Sequence, residues 1–156
     1  MAETILVIDD QQATLAILKR RLAAEGFGVS TAGSGLDGIN QVIGLHPDLI
    51  LLDLRMPVPA GWAVCKSLRA NPKTRHIPII VVTGDLLPGH LELAKVSGAD
   101  DFAFKPIDMT DFLIRVRAML DCRGIQDPVE RHTRYIQMVR GMSAESTRAH
   151  PPAGGG

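Results

Sequence analysis

The sequence predicts an α/β fold, a parallel sheet with helices on both faces. Three observations carry that expectation. Short apolar runs alternate strictly with helix-period segments, five times in about 122 residues. The third run, Leu49–Leu52, is four apolar residues in a row, the mark of a strand buried on both faces. Most of these runs stop abruptly at a charged or hydroxyl-bearing residue.

The elements follow in order. Residues 5–8, ILVI, form the first strand. Leu15, Leu18 and Leu22 line one face of the first helix, which Gly26 stops. Residues 27–32 make a weaker second strand. A second helix covers 35–45 and halts before Pro47. LILL at 49–52 is the third strand, and a helix over 61–70 turns Val64 and Leu68 inward. PIIVV at 78–82 is the fourth strand. The helix over 88–97 has Pro88 in its first turn. FAF at 102–104 is a short fifth strand. The fifth helix has Asp108 as its N-cap, with Asp111 three residues on, and buries Phe112, Leu113, Val116 and Leu120. A sixth helix starts at DPVE, residues 127–130, with Asp at the cap and Pro at the first position. Val129, Ile136, Val139 and Met142 give it a thin apolar stripe over about two heptads, short of what fixes a coiled coil. The division expected is a domain over 1–122, an extension helix within 123–142 and a disordered tail over 143–156, where Ser, Pro and Gly dominate.

Composition narrows the function classes. The chain has 156 residues, 46% of them hydrophobic, and a formal net charge of zero. That balance gives no general attraction to nucleic acid or to an anionic membrane. The net charge of residues 122–156 is only +2, too weak to indicate DNA binding. No apolar stretch reaches the roughly 20 residues of a membrane helix, and the N-terminus carries acids where a secretory signal carries bases. The two cysteines, Cys65 and Cys122, lie far apart outside any CxxC pair and read as free thiols of a reducing compartment. The five histidines lack zinc-ligand spacing.

In a parallel α/β sheet, ligands bind beyond the carboxyl ends of the strands. After ILVI come Asp9 and Asp10, after LILL comes Asp53, after PIIVV comes Thr83, and after FAF comes Lys105. Three carboxylates, a hydroxyl and an ammonium therefore converge on one edge. Two like charges 4 Å apart repel by about 4 kcal/mol at an effective dielectric of 20. A hard divalent cation resolves that conflict, since it takes carboxylate oxygens and leaves room for phosphate oxygens. Such an ion with Lys and a hydroxyl beside one carboxylate suits phosphoryl transfer, and the carboxylate can itself be the nucleophile.

ILVIDD, LILLDLRMP, VVTG and FKP, in this order, resemble the receiver domain of two-component response regulators. The resemblance spans residues 3–121, and Asp53, Met56, Pro57 and Gly61 match its D-x-x-M-P-x-x-x-G pattern. It implies a flavodoxin-like, doubly wound sheet of order 2-1-3-4-5 with five flanking helices. It implies a phosphorylation-dependent signalling switch of bacterial two-component phosphorelays. Asp53 accepts the phosphoryl group from a histidine kinase or a histidine phosphotransfer protein. Asp10, Asp53 and the backbone carbonyl of Arg55 ligate Mg²⁺, Asp9 holds it through water, and Lys105 pairs with a phosphoryl oxygen. Thr83 donates to the phosphoryl group, Phe102 is the switch aromatic, and the bond before Pro106 is cis. Arg55 and Asp85 stand where the family tunes dephosphorylation. Phe102 in place of Tyr removes a phenol hydroxyl from the switch. The chain is then a regulatory phosphoacceptor rather than an enzyme, cytoplasmic, with protein partners and no direct nucleic acid or membrane. A downstream effector protein or domain, or a homodimer through the helix 4–strand 5–helix 5 face or the C-terminal helix, would take the output.

Competing readings are weaker. The same fold could serve as a phosphorylation-independent interaction module, but the complete acid set argues against that. GSGLDG at 33–38 is a literal G-x-G-x-x-G with Asp53 20 residues past Gly33, the spacing of a dinucleotide-binding Rossmann site. It follows a polar strand in the second unit, however, and leaves Asp9, Asp10, Thr83 and Lys105 unexplained. A haloacid-dehalogenase-like phosphatase would need D-x-D-x-[TV] where this chain has DDQQ.

Overall fold

A computed structural model describes residues 2–149. Their chain divides into two compact units, one through Pro106 and one from Ile107 onward. The first unit holds a five-stranded parallel sheet, β1 (Thr4–Ile8), β2 (Gly28–Ala32), β3 (Leu49–Leu52), β4 (Ile79–Thr83) and β5 (Asp101–Phe104), in the order β2-β1-β3-β4-β5. Its helices are α1 (Gln12–Ala24), α2 (Gly35–Leu45), α3 (Gly61–Ala70) and α4 (Pro88–Val96). The second unit holds α5 (Met109–Cys122) and α6 (Pro128–Ala149). This is the doubly wound, flavodoxin-like architecture that the alternation and the resemblance imply.

The three central strands are continuous apolar runs because neither of their faces meets water. β3 and β4 are buried at every residue, and β1 at all but Thr4. Successive side chains go to opposite faces. Leu6, Ile8, Ile50 and Leu52 therefore share one core with Val42 of α2 and Val64, Cys65 and Leu68 of α3. Further along the same face, where Val81 pairs with Leu52, Leu54, Val81 and Ala94 pack with Leu91, Ala99 and Phe102. β4 begins at Ile79 rather than Pro78, since proline has no N–H for the ladder, and it runs on to include Thr83.

Glycines 35 and 38 have a packing role. A Cβ at Gly38 would come within 2.6 Å of the Ile8 side chain, and one at Gly35 within 2.7 Å of Val64 and of the Pro59 carbonyl oxygen. The GSGLDG stretch thus lets α2 lie close on β1, and Ser34 caps it by accepting the Asp37 N–H. Gly35 is the first residue of α2 and not part of the preceding loop.

In the second unit Asp108 caps α5, accepting from the Thr110 and Asp111 N–H groups. Asp127 does the same for α6 through the Glu130 N–H. Two expectations require correction. The sixth helix does not stop at 142 but continues to Ala149, because Ala144, Glu145, Arg148 and Ala149 are good helix formers. The expected disorder thus fails over 143–149, and its remainder, 150–156, lies outside the described residues. Val129 is not on the apolar face; it is exposed, and Tyr135 takes the buried place beside Val139. The Cys122 thiol contacts the Met138 sulfur at 3.4 Å, one point where α5 meets α6. Both cysteines are unpaired with each other and buried, and burial pushes the Cys65 thiol up to about 11. Among the described residues no helix is long and apolar enough to cross a membrane.

Gly61 ties this fold to the sheet edge. Its N–H donates to the Leu54 carbonyl, and a Cβ there would sit 2.2 Å from the Asp53 carbonyl oxygen. Backbone must then move. Gly61→Ala is expected to cost about 1–3 kcal/mol, read as a lower urea midpoint at unchanged slope.

Candidate functional site at the carboxyl edge of the sheet

The strand register decides which residues meet. Ile8 lies opposite Leu52, so the next residues, Asp9 and Asp53, emerge side by side, and the Asp53 N–H bonds the Ile8 carbonyl at 3.0 Å. Thr83 lies opposite Phe104, and the Lys105 N–H bonds the Thr83 carbonyl at 2.9 Å. The β4–β5 ladder thereby runs on to Lys105 at the strand end.

Its ammonium reaches the acids. Lys105 Nζ is 2.8 Å from Asp9 Oδ2, 3.1 Å from Gln11 Oε1 and 3.5 Å from Asp53 Oδ2. Asp9 Oδ1 accepts the Gln11 N–H at 2.8 Å, so both of its oxygens are engaged. Asp53 is held more loosely, with Oδ1 accepting the Arg55 N–H at 3.3 Å. Asp9 and Asp53 are buried, and Asp10 is exposed. Burial raises the Asp9 carboxyl above the usual range and the Asp53 charge adds to that, while the Lys105 and Gln11 hydrogen bonds work against it.

Each of Asp9, Asp10 and Asp53 offers an oxygen within 4.8 Å of the others. The donor set is all carboxylate, without histidine or thiolate. It fits a hard, oxygen-seeking divalent cation such as Mg²⁺ and not zinc.

Thr83 is fully buried at the end of β4, and its Oγ1 accepts the Asp85 N–H at 3.1 Å. Beside the acids opens a cleft of about 340 Å³, lined among others by Asp10, Arg55, Trp62, Asp85 and His90. Phe102 lies outside the carboxylate cluster. It is half-buried on β5, and its ring stacks on Phe104 at 6.5 Å. The Lys105–Pro106 peptide bond is cis, and so is Val58–Pro59.

The edge thus brings together Asp9, Asp10, Asp53, Thr83 and Lys105, with Arg55 at the cleft. Three participants escaped the sequence reading: Gln11, Trp62 and His90. Gln11 carried a usable signal, since the residue two past a strand-end acid can turn back on it. Trp62 and His90 carried none, because their relevance depends on α3 and α4 starting on the same side of the cleft.

Removing the Lys105 ammonium should strand two buried carboxylates. Lys105→Met is expected to destabilise the chain by about 3 kcal/mol at neutral pH. The deficit should shrink as pH falls, since the raised Asp9 carboxyl takes up a proton and one of the two unpaired charges disappears. Urea titrations at pH 7.5 and pH 5 check both parts.

Comparison with known proteins agrees with this geometry. A family model described as the response regulator receiver domain matches residues 5–117. Response regulator PleD of Caulobacter vibrioides is 38% identical over 152 residues, which cover 92% of this chain and 32% of that protein. The DNA-binding dual master transcriptional regulator RpaA of Synechocystis is 38% identical over 121 residues, covering 74% of this chain and 48% of that one. The chain spans about a third to a half of the length of these relatives. Among solved structures, the signal receiver domain of a signal transduction histidine kinase from Syntrophus aciditrophicus superposes with a TM-score of 0.73 at 29% identity, covering 81% of this chain and 94% of that one. With the sheet order, the edge cluster and a family match over most of its length, the chain belongs to the response regulator receiver family of two-component signalling.

Proposed function

We propose that this chain is a phosphorylation switch in which Asp53 accepts a phosphoryl group from a phosphohistidine of a sensor kinase or phosphotransfer protein. The observation that carries the reading is the setting of Asp53. It is buried at the rim, 3.5 Å from Lys105, in a carboxylate group whose oxygens lie within 4.8 Å of one another. An Asp53 oxygen attacks phosphorus, the P–N bond to the donor imidazole breaks, and an acyl phosphate forms.

Asp10 and Asp53, with the Arg55 backbone carbonyl, would hold Mg²⁺ directly. Asp9, with both oxygens already engaged by Lys105 and the Gln11 N–H, suits a more distant, water-mediated role. The ion supplies charge that offsets the repulsion between the acids and the incoming phosphoryl group. Lys105 reaches Asp53 from the side opposite its Arg55 contact and is placed to pair with a phosphoryl oxygen. The Thr83 hydroxyl accepts from Asp85, so its own hydrogen can be given to the phosphoryl group.

Phosphorylation then biases the Thr83 and Phe102 positions and with them the partner-binding surface. A shift from 1:99 to 99:1 takes about 5.5 kcal/mol, within reach of a few charge-assisted contacts. The output is a protein contact, either with a separate effector or with further domains of a longer chain. Relatives of both greater length and DNA-binding description are consistent with the second route.

Intact-mass spectrometry after incubation with acetyl phosphate and Mg²⁺ tests the reading. The native chain should gain one phosphoryl mass, and Asp53→Ala or a chelator should abolish the gain. A gain that survives in Asp53→Ala, or none in the native chain, overturns it.

A further inference from the structure

The turn between β4 and α4 reads Thr83-Gly84-Asp85-Leu86-Leu87 and leads into Pro88. Gly84 gives it wide backbone freedom. The turn is nonetheless heavily braced, and the bracing runs through Asp85. Asp85 is 4% exposed, and a carboxylate so placed is costly unless its oxygens are paired. Oδ1 accepts the Leu87 N–H at 3.1 Å. Oδ2 is hydrogen-bonded by His90 Nδ1, three residues into α4. An ionised carboxylate only accepts, so Nδ1 carries the proton. The His90 ring is itself steadied by Trp62 of α3, with centroids 5.6 Å apart and planes tilted by 32°.

The braced turn aims the Asp85 N–H at Thr83 Oγ1, 3.1 Å away. A hydroxyl has one donor hydrogen and two acceptor lone pairs. Once a lone pair takes the Asp85 N–H, the hydroxyl hydrogen must go elsewhere. We propose that His90 is a positioning residue for the phosphoryl reaction: through Asp85 it holds the turn in the geometry that commits the Thr83 hydroxyl as a donor.

The proposal rests on the phosphoacceptor reading above and adds a residue to it. His90 and Asp85 line the same cleft as Asp10 and Arg55, so the brace stands beside the reacting edge. The His90 hydrogen bond also holds the Asp85 carboxyl below its usual range. Without the Nδ1–H, the turn loses its only tie to the body of α4 through this carboxylate among the described residues, and Gly84 lets it relax.

Two variants of the full chain separate position from packing. His90→Phe keeps a ring beside Trp62 and removes the donor. His90→Asn places a side-chain N–H near the Nδ1 position. With acetyl phosphate and Mg²⁺, His90→Phe should gain the phosphoryl group about tenfold more slowly, the effect of one lost charge-assisted hydrogen bond. His90→Asn should return to within about threefold of native. In a Thr83→Ala background His90→Phe should cause no further slowing, because its route through the hydroxyl is gone. Amide exchange gives a readout that needs no phosphoryl group. The Asp85 N–H should exchange faster in His90→Phe while residues 79–82 stay protected. If exchange rises across 79–82 as well, His90→Ala replaces it, with the same expectations at a helix position that tolerates Ala.

Native phosphorylation by His90→Phe at the native rate or faster overturns the inference alone. So does slowing that persists undiminished in the Thr83→Ala background. No phosphoryl gain in the native chain overturns the phosphoacceptor reading and this inference with it, while unchanged Asp85 exchange overturns the brace independently of either.

Discussion

The site depends on one long-range contact, the Lys105 ammonium on the Asp9 and Asp53 carboxylates. These residues are 96 and 52 positions apart in sequence and meet only because the sheet is parallel. In the order β2-β1-β3-β4-β5, Asp9 and Asp53 follow neighbouring strands, whereas Lys105 follows the edge strand. Neighbouring strands lie about 4.8 Å apart, so even from β4 the span to β1 is about 10 Å. The backbone bond from Lys105 to Thr83 continues the β4–β5 ladder to the strand end, and from there the flexible four-carbon lysine stem reaches back over the edge to the acids. A shorter cation at this place could not reach Asp9.

That geometry explains why the sequence was informative at the edge. A strand buried on both faces cannot carry a charge, so the residue at which apolarity breaks is the residue that leaves the sheet. Asp9 and Asp53 were legible for this reason, and Thr83 nearly so, although it belongs to β4 itself; Lys105 follows the half-buried edge strand β5 and was legible from its place after FAF at the same edge. Helices α5 and α6 were legible from their caps, since Asp108 and Asp127 each accept an N–H from the first turn. Two features were not. The length of α6 was hidden because Ser and Thr lower helix propensity only slightly, and Ala144, Glu145 and Arg148 outweigh them. Its buried face was misjudged because Val129 falls in the first turn of α6 and is exposed, while Tyr135 combines a large apolar ring with a polar tip that obscures its burial.

The glycine-rich GSGLDG stretch shows how a motif can be explained without its usual ligand. The motif's glycines admit phosphate to a helix N-terminus in one fold. Here a Cβ at position 38 would strike Ile8, and one at position 35 would strike Val64 and Pro59. The same small residues admit a strand and a loop instead. Spacing alone does not distinguish the two; what the missing Cβ would touch does.

The charge balance at the edge sets the terms of any switching. Asp9, Asp10 and Asp53 face one ammonium, Lys105, which leaves two negative charges uncompensated. An aspartyl phosphate brings further negative charge to the same few ångströms, and a low-dielectric rim magnifies the cost. Lys105 is shared between Asp9 and Asp53 and offsets only part of that charge, and Arg55 is exposed, where water screens it. On the proposed reading, a divalent cation would supply the positive charge these acids lack, which would tie phosphorylation of this edge to metal. On that reading the turn after Thr83, where Asp85 donates to the Thr83 hydroxyl and accepts from Leu87 ahead of α4, is where the charge of the phosphoryl group would act on the surface.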